Sequence, residues 1–146
     1  MTVRRLAESG IDYSGRDLRG MDFSNQDLRK TGFAKANLTG ANFSGTKLCN
    51  SNFTLANLED TNLRDADLSD SSLAFANLKN ANLQNACLVR VNLNKADLTN
   101  ANLQNVDFTD ASFRNTRFTN LTPPQGWDVT EEDQDDIYHL IRTYRK

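Results

Sequence analysis

The side chains that most often perform catalysis are scarce in this chain of 146 residues. His139 is the only histidine, so a histidine-based catalytic triad and a Cys/His zinc site both lack the residues they need. The phosphate-binding pattern G-x-x-x-x-G-K-[ST] does not occur, which leaves nucleotide hydrolysis without support. We therefore expect a protein that is not an enzyme and that binds neither a metal ion nor a cofactor.

Two further groups of residues have side chains that could bind a cation or form a disulfide. Whether they do so depends on which side chains the fold brings together. Four aspartates five residues apart are possible cation ligands: Asp12, Asp17, Asp22 and Asp27. Cys49 and Cys87 are the only cysteines and the only possible disulfide. The elements that position these residues must be established first.

Composition excludes several classes of protein. A net charge of −2 and a pI near 5.3 argue against direct nucleic-acid binding. No stretch approaches the ~20 apolar residues of a membrane helix, and the first ten residues lack the apolar core of a secretory signal. With two cysteines and no disulfide framework, we expect a cytoplasmic protein without membrane contact.

A repeat of five residues organises most of the chain. From Tyr13 to Phe118, every fifth residue forms a series of 22 positions, of which 21 are Leu or Phe. The residue two places earlier is Ala ten times, and the residue between them is Asn or Asp in 16 of the 22 pentads. No insertion or deletion interrupts the series, so the repeat must reflect a regular structure.

A period of five fits neither an α-helix nor a straight strand. Five residues turn a helix by ~500°, which scatters the leucines around its surface. In a strand, an odd step places successive leucines on opposite faces. The pattern is satisfied if the backbone turns a corner after each pentad, with Gly or Asn frequent at the fifth position because they tolerate tight turns. We predict an all-β solenoid.

Segments such as ANLTG (36–40), ANLED (56–60) and ADLTN (96–100) resemble the A-[ND]-L-x-x signature of the pentapeptide repeat family. The resemblance covers residues 11–120 and implies a right-handed quadrilateral β-helix with four pentads, or 20 residues, per coil. Twenty-two pentads then make about five and a half coils. Arg16 and Gln26 depart from the pattern, because a small inward residue is expected there. Their side chains are expected to loosen the first coil or to reach out of its open end.

A four-sided coil separates the candidate ligands. Asp12, Asp17, Asp22 and Asp27 fall on four different sides, so they are not expected to chelate one ion. Cys49 and Cys87 lie about two coils apart, beyond the ~7 Å limit for a disulfide. We therefore interpret both cysteines as surface thiols.

The ends of the solenoid need covers, because open strand edges promote aggregation. Residues 1–10 are predicted to cap the N-terminal end. After Pro123 and Pro124, Thr130 is a possible N-cap, and apolar residues then follow helical spacing at Ile137, Leu140, Ile141 and Tyr144. Within the C-terminal segment 121–146, we predict a linker and a capping α-helix that covers the last coil with Trp127. The alternative is a dimerisation helix, but we expect a monomer.

The function we expect is that of a scaffold or protein-interaction module for an unidentified protein partner. Residues 20 positions apart lie on adjacent coils, which places Leu55 beside Phe75 at positions that are usually polar. The predicted binding patch contains Leu55, Phe75, Ala34, Thr54, Ala74, Lys35 and Lys95. The alternative interpretation is that isolated exposed apolar residues are normal. Another side stacks Asn42, Asn62, Asn82 and Asn102, with Gln84 and Gln104 alongside, and this ladder is expected to stabilise stacking.

The resemblance also suggests a second function, because family members that bind bacterial DNA gyrase are described as mimics of duplex DNA. Mimicry requires strongly negative faces. Residues 11–120 contain twelve acidic and twelve basic residues, so this part of the chain is neutral. A DNA-mimicking binder of gyrase or another topoisomerase is therefore the alternative to the interaction module.

Overall fold

The fold of the repeat region is a continuous coil with a period of 20 residues. A computed structural model of the protein describes residues 10–118, 127–131 and 138–142. In the first range, the middle residue of each pentad forms a parallel β-bridge with the residue 20 positions later, from Asp12↔Gly32 to Asp97↔Arg117. Four successive bridges complete one coil, so its cross-section is four-sided. The structure thus confirms the solenoid and its 20-residue period.

Each pentad has five positions, which we name after the segment ANLTG. Ala36 is at the small inner position, Asn37 at the middle position and Leu38 at the large inner position. Thr39 and Gly40 are at the first and second corner positions. In a pentad such as 56–60, the two inner residues are buried, the middle and first corner residues are half-buried, and the second corner residue is exposed.

Backbone hydrogen bonds use four of the five N–H groups in a pentad. The middle residue donates to the preceding coil (Asn37 N to Arg16 O, 2.9 Å), and the large inner residue donates to the following coil (Leu38 N to Asn57 O, 2.8 Å). The second corner residue also donates to the following coil, as Gly40 does to Glu59 O at 2.9 Å. The N–H of the small inner residue donates to the carbonyl oxygen of the large inner residue in the preceding pentad, which closes the turn.

The fifth N–H explains the preference for Asn and Asp at the middle position. Thr39 N–H at the first corner donates to Asn37 Oδ1 at 3.2 Å. All 16 Asn and Asp residues at the middle position accept the same bond from the residue two places later. A short side chain with an acceptor oxygen therefore satisfies the last donor of these 16 pentads.

The second corner residue turns the chain in the left-handed region of backbone conformation. Its φ is positive in every pentad from 11–15 to 111–115, with values of 55–62° for the non-glycine residues. Gly and Asn adopt this region readily, and bulky apolar residues seldom do. Leu55 (φ 62°) and Phe75 (φ 59°) nevertheless occupy it.

The large inner residues form columns along the interior of the coil. Leu63, Leu78 and Leu98 have 0% exposure, as the repeat predicts. In the first coils two of the four columns are aromatic: Phe23 stacks on Phe43 with ring centroids 4.9 Å apart. The core is therefore a dry stack in which each side chain contacts the equivalent side chains of the neighbouring coils.

Several buried hydroxyl groups at the small inner position donate hydrogen bonds to backbone carbonyl oxygens of the preceding coil. Thr46 Oγ1 donates to Phe23 O at 2.8 Å, and Ser71 Oγ donates to Leu48 O at 2.8 Å. Thr31 Oγ1 is buried without a hydrogen-bond partner among the described residues. Arg16 is exposed in the first coil, as expected for a side chain that reaches out, and Gln26 is half-buried.

The predicted C-terminal α-helix is wrong for the described residues. Trp127–Glu131 forms strand β1 and Tyr138–Arg142 forms strand β2, paired antiparallel with Trp127 opposite Arg142 and Glu131 opposite Tyr138. A short helix gains little stability from its own backbone hydrogen bonds. Two paired strands satisfy their backbone N–H and C=O groups with each other, and the spacing of apolar residues in one segment does not reveal this pairing. The predicted cap at residues 1–9, and residues 132–137 and 143–146 of the predicted helix, lie outside the described residues.

Candidate functional site

The four N-terminal aspartates are not brought together. Asp12, Asp17, Asp22 and Asp27 take part in four separate bridge ladders, one on each side of the coil. Asp17 pairs with Arg19 at 2.7 Å, and Asp27 pairs with Arg29 at 2.6 Å. The hydrogen bonds from these arginines lower the pKa of both carboxyl groups. Residues 10–118 and the two strands contain no cluster of three or more His, Cys, Asp or Glu side chains suited to a metal ion.

The two cysteines are free and half-buried on the same side of the coil. Cys49 Sγ donates to Asp67 Oδ2 at 3.0 Å, while Ser69 Oγ lies 2.5 Å from Asp67 Oδ1 and 3.1 Å from Cys87 Sγ. Burial and the hydrogen bond to Asp67 raise the pKa of the Cys49 thiol to about 11. A thiol that stays protonated near neutral pH is a poor nucleophile, so Cys49 is not suited to nucleophilic catalysis.

The asparagine ladder on another side makes hydrogen bonds within the fold. The Oδ1 atoms of Asn42, Asn62 and Asn82 accept the N–H of the corner residues Ser44, Arg64 and Gln84. Gln84 Nε2 donates to Gln104 Oε1 of the next coil at 3.2 Å. The asparagine bonds lie within single pentads, and only the Gln84–Gln104 bond joins neighbouring coils, so the expectation that the ladder stabilises stacking stays a prediction.

The predicted binding patch lies on one side of the coil, which we call face 1. It comprises residues 11–15, 31–35, 51–55, 71–75, 91–95 and 111–115. Leu55 and Phe75 are each 50% exposed and are the large apolar side chains exposed within residues 10–118. They occupy second corner positions of adjacent coils, because the middle residues Asn52 and Ser72 of their pentads form a bridge.

Smaller residues extend this surface around the corner. Thr54 and Ala74 precede Leu55 and Phe75, with Ala74 only 8% exposed and Thr54 Oγ1 within 3.0 Å of Ser72 Oγ. Ala34 is half-buried in the coil before. We call the whole surface the Leu55/Phe75 patch, and it consists of Ala34, Lys35, Thr54, Leu55, Ala74, Phe75 and Lys95.

Lysines border the patch along the second corner positions. Lys35 and Lys95 are exposed in the coils on either side of Leu55 and Phe75. Lys95 Nζ lies 5.1 Å from the centre of the Phe75 ring, within range of a cation–π interaction. The structure thus places all seven predicted residues on face 1. Sequence reasoning missed Arg114 on the same face, although the 20-residue period also predicts its position.

His139, the only histidine, lies in β2 opposite Thr130 of β1.

No helix within the described residues is long and apolar enough to cross a membrane.

The fold and this surface define a class of protein, a four-sided parallel β-solenoid built from five-residue units. A family profile described as pentapeptide repeats matches the chain in 8 copies over residues 17–54, 56–94 and 88–120. The chain belongs to the pentapeptide repeat family. Proteins of this family fold as right-handed quadrilateral β-helices and are generally non-enzymatic structural or interaction modules.

Solved structures of the same family resemble the chain. The pentapeptide repeat protein Rfr23 from the cyanobacterium Cyanothece 51142 is 28% identical, with a TM-score of 0.63 over 74% of this chain and 91% of that one. A pentapeptide repeat protein of the Arabidopsis thaliana thylakoid lumen is 32% identical over 77% and 71% of the two chains, with a TM-score of 0.41. QnrB1, a plasmid-mediated fluoroquinolone resistance protein, is 17% identical over 82% and 87%, with a TM-score of 0.41. The comparison with curated proteins gives no match.

Proposed function

We propose that this protein is a non-enzymatic interaction module that binds a partner protein through the Leu55/Phe75 patch. The observation that carries the proposal is the exposure of two large apolar side chains, each 50% accessible, on adjacent coils. Contiguous exposed apolar surface of this kind is typical of protein-binding sites.

The solenoid itself gives no reason for apolar residues at these two corners. The other second corner positions of residues 10–118 hold Gly, Asn, Asp, Lys or Arg in the same left-handed conformation. A bulky apolar residue there is conformationally unfavourable and leaves apolar area in water. Both costs recur in neighbouring coils, which favours a role outside folding.

The alternative function, mimicry of duplex DNA toward a topoisomerase, has less support. Mimicry needs an extended negative face, and within the described residues five carboxylates form ion pairs with basic side chains. Asp70 pairs with Arg90 at 2.6 Å, and Asp97 lies 3.7 Å from Lys79. A gyrase supercoiling assay with the purified chain is expected to show no inhibition, and potent inhibition would favour mimicry instead.

Dimerisation through a C-terminal helix no longer has a structural basis, because Tyr138–Arg142 is a strand. We propose a monomer that acts in a reducing, cytoplasmic setting, which is consistent with the free thiols of Cys49 and Cys87.

Affinity capture from the native host, followed by mass spectrometry, tests the patch directly. The tagged wild-type chain is compared with Phe75→Asp, which places a carboxylate in the centre of the patch. We expect Phe75→Asp to lose the captured partner while its melting temperature stays close to that of the wild type, because the side chain is half exposed.

Asn50→Asp is the matched control for this experiment. Asn50 is an exposed second corner residue with φ 60°, on a different side of the coil. This variant introduces the same charge in the same backbone conformation and is expected to capture the partner normally. Equal capture by the wild type and Phe75→Asp would refute the proposed site.

A further inference from the structure

We propose that the Leu55/Phe75 patch binds an extended acidic segment of its partner, in which one large apolar residue lies between two carboxylate residues. This inference rests on the proposed function and specifies the chemistry of the partner. It follows from the charges of face 1, from the arrangement of Lys95 over Phe75, and from the spacing of the coils.

Face 1 has a surplus of positive charge. Its basic residues are Lys35, Lys95 and Arg114, and its one acidic residue, Asp12, is in the first coil, away from Leu55 and Phe75. Among the ion pairs of the described residues, none involves these three basic side chains. The charges that border the apolar side chains are therefore available to a ligand.

Three carboxylates on the adjoining sides have partners within the fold. Glu59 Oε2 accepts a hydrogen bond from Asn77 Nδ2 at 3.2 Å, and Asp97 lies 3.7 Å from Lys79. Asp70 is held by two hydrogen bonds from Arg90. Arg90 and Lys79 offset the charges of Asp70 and Asp97, whereas Glu59 is bound by a neutral amide and keeps its charge.

The position of Lys95 joins the charge to the apolar surface. Its ammonium group lies 5.1 Å from the centre of the half-exposed Phe75 ring. A ligand group that packs on the outer part of this ring is thus close to a cation, so its neighbouring residues are favoured to be acidic. A basic partner would bring like charges together at the same place.

The spacing of the coils matches the spacing of side chains in an extended peptide. Lys35, Leu55, Phe75 and Lys95 follow one another in successive coils, so the two lysines are three coil rises apart, roughly 14 Å at ~4.8 Å per coil. In an extended peptide, residues i and i+4 lie on the same side about 13 Å apart, with residue i+2 between them. The fitting pattern is acidic-x-apolar-x-acidic, with the apolar side chain on Leu55 and Phe75.

The probe is the synthetic peptide Gly-Glu-Ser-Leu-Ser-Glu-Gly, titrated into the full ¹⁵N-labelled chain at low salt. Amide chemical-shift changes detect weak binding and locate it. We expect the changes to centre on residues 34–35, 54–55, 74–75 and 94–95. Raising the salt concentration from about 20 mM to about 300 mM is expected to weaken binding several-fold through screening.

Two comparisons test the role of charge, and a third tests the apolar residue. In the double variant Lys35→Glu/Lys95→Glu, binding of the acidic peptide is expected to fall at least tenfold. A peptide with Lys in place of both Glu residues, and one with Ser in place of Leu, are each expected to bind at least fivefold more weakly. The control pair Lys30→Glu/Lys47→Glu reverses two exposed charges on another side of the coil and is expected to bind normally.

Several outcomes would overturn the inference. If the basic peptide binds as well as the acidic one, or if none of the peptides binds, the partner is not an acidic segment. If a short DNA duplex perturbs the same amides and the acidic peptide does not, the patch serves nucleic acid. The proposed function is judged separately by affinity capture with the wild type and Phe75→Asp, which does not use the peptides and detects a partner of either charge.

Discussion

The rings of Phe33 and Phe53 are stacked with their centroids 4.8 Å apart, at an interplanar angle of 11°. This distance equals the spacing of neighbouring strands in a sheet. The rise from one coil to the next therefore suits both the stacking of the rings and the backbone bridges between coils. Phe43 meets Phe33 and Phe53 edge-on from another side, at 5.6 and 6.0 Å. Stacked and edge-on contacts of this kind contribute beyond the burial of area.

The first prediction concerns this aromatic stack. Phe53→Ala is expected to lower the free energy of unfolding by about 3–5 kcal/mol, because it opens a cavity between Phe33 and Leu73. Phe53→Leu is expected to cost only ~1 kcal/mol, because the same column continues with leucine at Leu73 and Leu93. Urea unfolding followed by circular dichroism measures both, and equal losses would contradict the filling of volume as the main contribution of Phe53 to stability.

The second prediction concerns the buried hydroxyl column of Thr31, Ser51 and Ser71. Ser71 Oγ donates to Leu48 O and accepts from Ser51 N at 3.1 Å, so Ser71→Ala is expected to lower stability by about 1–3 kcal/mol. Thr31→Val removes a buried hydroxyl that has no partner among the described residues, so it is expected to stabilise by up to about 1 kcal/mol.

Val91 occupies the same column and is buried, which shows that valine fits there. Thermal and urea unfolding of the two variants measure the difference. A loss of stability in Thr31→Val comparable to that in Ser71→Ala would mean that the Thr31 hydroxyl is paired in solution.

The third prediction concerns the bond that closes each pentad. Asn62 Oδ1 accepts the Arg64 N–H at 3.1 Å. Asn62→Ala removes this acceptor and is expected to cost ~1 kcal/mol. Asn62→Asp keeps an acceptor oxygen and is the control, expected to stay within about 0.5 kcal/mol of the wild type. Matching losses in the two variants would show that the acceptor is not the reason for Asn at this position.

The fourth prediction concerns pH and the thiol of Cys49. Because its pKa is raised to about 11, the thiol is protonated at pH 8 and is expected to react slowly with iodoacetamide. In a Cys87→Ser background, the rate of alkylation is expected to reach half its maximum near pH 11 in the folded chain. Unfolding the chain in urea should move this midpoint toward the ordinary value of 9.0.

Asp67→Asn provides the mechanistic control, because it removes the negative charge that faces Cys49 Sγ. The midpoint is expected to move downward in this variant, although burial still holds it above the ordinary value. Mass spectrometry of the alkylated chain gives the rates, and circular dichroism at each pH confirms that the chain is folded. A midpoint near 9 in the folded wild type would contradict the raised pKa.

The repeat region could be predicted because its information is local and recurs without interruption. Counting residues is enough to predict that Leu63 and Leu78 are buried and that Leu55 lies beside Phe75. It also predicts that Cys49 is too far from Cys87 to form a disulfide. The C-terminal segment has no such repetition. Leu140 and Ile141 fit the helical spacing, but Tyr138–Arg142 pairs with Trp127–Glu131, and such pairing depends on residues distant in sequence.

The amino-acid sequence by itself determined the period, the inward columns and the faces on which residues meet, since a five-residue unit can bury its leucines only if the chain turns at each corner. Only the tertiary structure decided what the outer side chains do. It assigned the Asn and Asp residues to the last backbone donor of their own pentads, placed Lys95 over Phe75 and left Thr31 Oγ1 buried without a partner among the described residues. These details depend on rotamers and on distances between coils, which residue spacing does not specify.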